Sequence, residues 1–283
     1  MIFDPQSVTA FAAHYPASPA MLRHHLTDHP LLTIERLVAL AGALPSASVE
    51  YNSGELPIGQ DPAQTPMNGL SAEETVCRIA ENKSWIVLKN IELDSDYAAL
   101  LKQCLGDIAP AARAATGAMH KCEGFIFVSS PDSVTPFHMD PEHNILMQIR
   151  GAKTFNIFPA TAQAIVSDEA HEAYHRAGAH RNLPYKDEFA ELGRAMTLTP
   201  GDALYVPLKS PHWVKNGAEV SVSLSITWRS AASDAEAHLR RGNGWLRARG
   251  LVPPPPGARP VRDRAVVLAA RLSTRLGRSR ALA

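Results

Sequence analysis

Thr135-Pro136-Phe137-His138-Met139-Asp140, followed by the run to Lys153-Thr154-Phe155-Asn156-Ile157-Phe158-Pro159, is the stretch on which the fold and chemistry of this chain turn. On extended backbone, residues two apart point to the same side, so His138 and Asp140 can converge on one ion. Beyond them, Asn144–Ile149 and Lys153–Phe158 read as two strands joined through Arg150-Gly151-Ala152 into a hairpin. Lys153 opens the second strand, among Phe155, Ile157 and Phe158, where a buried ammonium is costly unless an anion meets it. Twelve histidines make a lone His-x-Asp a common accident, so the pattern gains weight only from its neighbours.

Working outward, Phe125–Val128, Ala195–Leu198, Ala203–Val206 and Val220–Trp228 are further short β-type runs, punctuated by turns such as Thr199-Pro200-Gly201-Asp202. Short strands with such punctuation indicate a sandwich or barrel rather than alternating βαβ units. Residues 160–194 interrupt the series with a polar, helical insertion. Upstream, residues 1–120 read as helical with one strand at Trp85–Leu88. Thr33 caps a helix running to Leu44, and residues 45–70 form an irregular connection. Ser71 and Glu74 make a capping box for a helix to about Asn82. Another helix spans Asp96 to about Gly106, with Pro110 limiting it. Downstream come a helix at Asp234–Arg241, a polyproline spacer at Pro253–Pro256 and a last helix at 262–276. The expected organisation is therefore a helical region over 1–120, a β core over 121–230 and a helical tail over 231–283.

With 283 residues and 45% hydrophobic content, the chain can bury a sizeable core. Its net charge is zero, which excludes a globally basic nucleic-acid binder. That zero hides an asymmetry, because residues 231–283 hold 11 arginines against 3 acids and the rest is acidic by the same margin. Cys77, Cys104 and Cys122 are too few and too far apart for a disulfide scaffold or a zinc-finger framework. The first residues lack a signal-peptide pattern, and no apolar run approaches a membrane span, so a soluble cytoplasmic protein is expected.

A third ligand for His138 and Asp140 is available at His212, just after the run Ala203–Pro207. Two imidazoles and one carboxylate on one face of an octahedron leave three positions open, the facial triad of non-haem Fe(II) oxygenases. The span Thr135–Pro159, with Leu198-Thr-Pro-Gly-Asp-Ala-Leu-Tyr-Val-Pro207 and His212-Trp213, resembles the cupin-like JmjC oxygenases. Within them it is most similar to the branch of the asparaginyl hydroxylase that inhibits the hypoxia-inducible factor. This resemblance covers about 125–230 and implies a mainly β core, a double-stranded β-helix or jelly roll, with N-terminal and C-terminal helical elaborations. It implies His138, Asp140 and His212 as Fe(II) ligands, and 2-oxoglutarate and O2 as co-substrates. Lys153 would pair with the distal carboxylate of 2-oxoglutarate, Thr135 would assist, and Asn144 would lie nearby. It also implies a homodimer through the C-terminal helices. Two other classes stay open: a metal-binding cupin with chemistry that does not use 2-oxoglutarate, and a non-catalytic module that binds a partner through its basic tail.

His171-Glu172-Ala173-Tyr174-His175 is a literal HExxH, the helical zinc-peptidase pattern, and Gly178 with His180 nearly extends it. Arg181 occupies the place of the third histidine, so a solvated helix is the favoured reading. His24, His25 and His29 have no carboxylate partner at useful spacing, and His143 turns away from the triad. Trp213 and Trp228 are candidates for the substrate pocket, with core packing as the competing reading.

Overall fold

The computed structural model describes residues 1–178 and 181–281, with side chains described at all of these except 177 and 274–281. His180 thus lies outside the described residues. In chain order, α1 (Pro5–His14), β1 (Ala20–Arg23), α2 (Ile34–Ala43), β2 (Val49–Ser53), α3 (Ala72–Cys77), β3 (Ser84–Lys89) and α4 (Ser95–Thr116) come first. They are followed by β4 (Met119–Ser129), β5 (Val134–His138), β6 (His143–Arg150), β7 (Lys153–Ile157) and α5 (Asp168–Ala177). Then come β8 (Arg194–Leu198), β9 (Asp202–Val206), β10 (His212–Asn216), β11 (Ser221–Ser230), α6 (Ala231–Arg247) and α7 (Pro260–Ala281).

The strands form a seven-stranded sheet, β1-β9-β6-β11-β4-β3-β2, and a four-stranded sheet, β5-β10-β7-β8. Alternation along each strand decides which residues lie between the sheets. Leu146, Leu204 and Val206 of the large sheet pack with Phe155, Ile157, Leu198 and Val214 of the small one. The other face of the large sheet presents Ile145, Met147, Leu224, Ile226 and Trp228 to α1, α2 and α4, which contribute Phe11, Leu37, Leu40, Leu100 and Ile108. This is a jelly-roll core with flanking helices, as the family resemblance implies and within the sandwich-or-barrel class that the strand pattern indicates. At the β6–β7 turn, Gly151 has φ +68°, and a Cβ there would lie 2.5 Å from the Val220 carbonyl, so only glycine closes the hairpin against β11.

The expected capping box forms at Ser71, and Thr33 caps α2. Three differences from the sequence reading have physical causes. First, β1 and β2 join the large sheet as well as β3; β1 is four residues long, and β2 lies within a segment rich in turn formers. Second, α4 runs through Pro110 to Thr116. Proline costs about 3 kcal/mol in a helix interior, and the extension past Gly106 offsets it by burying Ile108, Ala112 and Thr116. Third, α3 stops at Cys77 and α6 extends to Arg247.

By contacts the chain divides into two compact units. One holds Met1–Ala160 with Asn182–Arg229, and the other Thr161–Arg181 with Ser230–Ala283. The first carries both sheets. In the second, α6 comes close to both its neighbours: a Cβ at Gly242 would meet Val266 of α7 at 2.4 Å, and one at Gly244 would meet the Glu172 carbonyl of α5 at 3.3 Å. Ion pairs between Arg247 and Glu172 and between Arg240 and Asp168 join α5 to α6. Among the described residues, no helix is long and apolar enough to cross a membrane.

Candidate metal centre

His138 ends β5, and His212 begins the neighbouring strand β10, where the two are register partners. The register between β5 and β10 shifts between His212 and Val214, which pair with His138 and Thr135. Residues paired across antiparallel strands share a face, so this bulge puts Thr135 and His138 on one side despite their odd separation. Pro136 sits in the bulge, where a missing backbone donor costs least. Asp140 lies just past the strand end, and its carbonyl accepts a hydrogen bond from the Lys209 N–H (2.8 Å) ahead of His212.

The three side chains converge. Both imidazole Nε2 atoms lie 3.6 Å from the same Asp140 Oδ2, and the two rings stand 4.1 Å apart. Ligand atoms sharing an ion at about 2.1 Å stand about 3.0–3.6 Å from one another, so the spacing suits a common cation. Each histidine is oriented from behind: His138 Nδ1 lies 2.7 Å from the Pro136 carbonyl, and His212 Nδ1 lies 2.9 Å from the Ser210 carbonyl. A carbonyl can only accept, so both Nδ1 atoms donate and both Nε2 lone pairs face the shared point. Among the described residues, this is the one group of three His, Cys, Asp or Glu side chains able to hold a metal ion. The His171, Glu172 and His175 pattern does not assemble one: Glu172 is buried against Arg247, and His175 lies 3.8 Å from Glu236.

Lys153 is register partner to Leu198 on one side and to Asn216 of β10 on the other, on the same inward face of β7 as Phe155 and Ile157. It is 5% exposed, and burial alone pushes its pKa down to about 7. No carboxylate pairs with it among the described residues. Beside it, the Asn216 amide donates to Ser133 and leaves a buried Oδ1 without a partner. A buried cation next to an unused acceptor forms a polar floor that an anion with a hydroxyl or water could complete. Asn144 also faces inward and accepts from Ser225 Oγ at 2.7 Å.

Both tryptophans lie elsewhere. Trp213 follows His212 and therefore points to the opposite face of the small sheet, against Tyr185. Trp228 is fully buried behind the large sheet, stacked on His143 and donating to the Tyr15 hydroxyl. As part of that core, Trp228→Ala should lower stability by about 3–5 kcal/mol in a denaturant melt. A variant that melted like the parent and changed only substrate KM would return Trp228 to the pocket.

Sequence reasoning missed Asn216 and Ser225. The signal for Ser225 was the alternation Ser221, Ser223, Ser225, Thr227 along β11, which marks a polar inward face. It also missed Arg229, whose Nε and Nη2 both bind Glu142 Oε1, two residues from Asp140. Burial, more than the nearby Asp140 and Glu123 charges, raises the Glu142 pKa, and Arg229 opposes it. The rim by His138 comes from two distant segments: the Phe137 N–H donates to the Ile58 carbonyl, the Leu183 N–H donates to the Phe137 carbonyl, and Asn182 bridges to His138.

A family model for the Cupin-like domain matches residues 59–234. The chain is 29% identical over 101 residues to Lysine-specific demethylase 8 of Danio rerio, covering 34% of this chain and 25% of that protein. It is 32% identical over 105 residues to Jumonji C domain-containing protein 5 of Drosophila melanogaster, covering 34% and 25%. It is 32% identical over 115 residues to Lysine-specific demethylase JMJ30 of Arabidopsis thaliana, covering 37% and 25%. The matched part thus spans about a quarter of the length of these curated relatives. The X-ray structure of E. coli ycfD superposes with a TM-score of 0.52 at 15% identity over 97% of this chain and 69% of that one, a likeness of fold.

Proposed function

Because the chain belongs to the Cupin-like domain family, with JmjC-type relatives, we propose that it is an Fe(II)- and 2-oxoglutarate-dependent oxygenase. On this reading it hydroxylates a C–H bond of a protein side chain or small molecule. The observation that carries the proposal is the convergence of His138, Asp140 and His212 on one point, with both imidazole lone pairs turned toward it.

The residues fit the group. Two neutral imidazoles and one carboxylate are the donor set of a facial Fe(II) site with positions left for a chelating co-substrate and O2. With both bound, such a site supplies O2 activation coupled to decarboxylation of 2-oxoglutarate to succinate and CO2. This chain's residues would do the positioning. Lys153 holds the distal carboxylate from the cavity floor, and Thr135, on the inward face of β5, donates to it. Asn144 orients the near end, held by Ser225. The Phe155 ring stacks on His212 at 4.8 Å and keeps water from that side of the centre.

The comparisons support the JmjC-type cupin level of the resemblance; the asparaginyl-hydroxylase branch rests on the 135–159 motif alone. Relatives named lysine-specific demethylases make protein side chains the first substrates to assay. The direct test is anaerobic titration of the chain with Fe(II) and 2-oxoglutarate. A weak visible charge-transfer band that needs both components is expected. Fe(II) binding with no band and no change on adding 2-oxoglutarate would favour a metal cupin of other chemistry. Binding of neither would leave a non-catalytic module.

A further inference from the structure

Asn216 ends β10 directly opposite Lys153 of β7. Residues paired across antiparallel strands share a face, with Cβ atoms about 4.5–5.5 Å apart, so both side chains enter the same space between the sheets. Both are buried, Asn216 to 3% exposure. The backbone holds this point from either side: the Gly217 N–H donates to the Ala152 carbonyl (2.8 Å), and the Asn216 N–H donates to the Ser133 carbonyl (2.9 Å).

The Asn216 amide can point only one way. Its Nδ2 donates to Ser133 Oγ (2.9 Å) and to the Ser133 carbonyl (3.2 Å). The Ser133 hydroxyl gives its single proton to the Ser130 carbonyl at 2.8 Å, so toward Asn216 it can only accept. A flipped amide would set Oδ1 against two acceptors. Gly54 keeps Ser133 in place, since a Cβ at residue 54 would lie 2.8 Å from the Ser133 Cβ. Oδ1 therefore faces away from Ser133, and it is a buried acceptor with no hydrogen-bond partner among the described residues. An acceptor repels a carboxylate and attracts an ammonium, and a charged lysine carries three N–H donors.

We infer that Asn216 is a positioning residue for the co-substrate: its Oδ1 accepts one N–H of the Lys153 ammonium and thereby aims the other two at the distal carboxylate. This rests on the oxygenase reading and deepens it. The role uses both halves of the amide. Nδ2 anchors the group on Ser133, and Oδ1 restrains the flexible four-carbon stem of the lysine before the carboxylate arrives, so less freedom is lost on binding.

The test is anaerobic titration of the Fe(II)-loaded full chain with 2-oxoglutarate and with 2-oxobutanoate, which has the same 2-oxo acid head and no distal carboxylate. The charge-transfer band reads the affinity of each. Asn216→Leu, similar in volume, should weaken 2-oxoglutarate by about tenfold and leave 2-oxobutanoate within about twofold, a split that general damage to the fold cannot produce. Asn216→Asp keeps the shape and puts a negative charge beside Lys153. It should weaken 2-oxoglutarate by about 100-fold or more and again spare 2-oxobutanoate. A thermal melt identifies a variant that fails to fold, and the other then decides; collapse of both would make Asn216 a structural residue and overturn the inference. So would a folded variant that binds 2-oxoglutarate like the parent, or one that weakens both ligands equally. A parent chain that binds 2-oxoglutarate no better than 2-oxobutanoate would strike down the role of Lys153 itself, and the inference with it.

Discussion

Asp140→Ala should lose more than about 100-fold in Fe(II) affinity, and turnover should fall below detection. Replacing groups that merely orient a ligand already costs about 10–100-fold, and Asp140 is the one anionic donor of the set. Its Oδ2 lies 3.6 Å from both histidine nitrogens, so its removal leaves two neutral imidazoles and no charge to balance the cation. The local chain should hold, because the Lys209 N–H bonds the backbone carbonyl of residue 140, which alanine keeps. An anaerobic Fe(II) titration with a chromogenic competitor reads the affinity, and a thermal melt reads the fold. An Asp140→Ala chain that binds Fe(II) like the parent would remove the triad from consideration.

Lys153→Met should weaken 2-oxoglutarate binding by about 100-fold or more and at the same time make the ligand-free protein more stable. The two effects share one cause. A buried ammonium without a counter-ion is penalised, and its pKa falls from 10.5 to about 7. Below about pH 7 this lysine is charged in both folded and unfolded chains, and the folded state bears the whole penalty. Between pH 7 and 10.5 the unfolded chain binds the extra proton, so stability climbs with pH and the penalty disappears. Methionine fills a similar volume without the charge, so the gain should be greatest at or below pH 7, on the order of 3–5 kcal/mol. When a carboxylate arrives, it repays the lysine's charge. In the parent, therefore, 2-oxoglutarate affinity should weaken about tenfold per pH unit above 7 until the bound complex itself titrates. In the variant, affinity should fall by about 100-fold or more and lose this pH dependence. Calorimetry across pH 6–9 gives both numbers. A variant that binds 2-oxoglutarate normally, or an apoprotein destabilised by the change, would show that the ammonium has another role.

Much of this molecule was legible before any coordinates. The hairpin from Asn144 to Phe158 reads directly, because apolar alternation and a glycine turn are local signals. His138 and Asp140 could be paired from their spacing, while naming His212 with them as a ligand set rested on the resemblance to the cupin-like JmjC oxygenases. Lys153 stood out as a charge among aromatic and branched neighbours. The capping box at Ser71 and the Thr33 cap were equally local. The tryptophans were harder to place, because a large aromatic has the same sequence signature in a core as in a pocket. Trp228 lies among Phe11, Tyr15 and Tyr205, rings brought from α1, the residue that caps its end, and β9.

The sequence by itself determined the β-rich core, its hairpin and the kinds of side chain available for metal and anion. These depend on period, turn chemistry and residue type, all readable within about ten residues. Only the tertiary structure decided the rest: the bulge that turns Thr135 and His138 to one face, the burial that leaves Lys153 without a counter-ion, and the helices that cover Trp228. It also decided that α4 continues through Pro110. These depend on which distant segments meet, and the free energy of such meetings comes from burial, which no local pattern records.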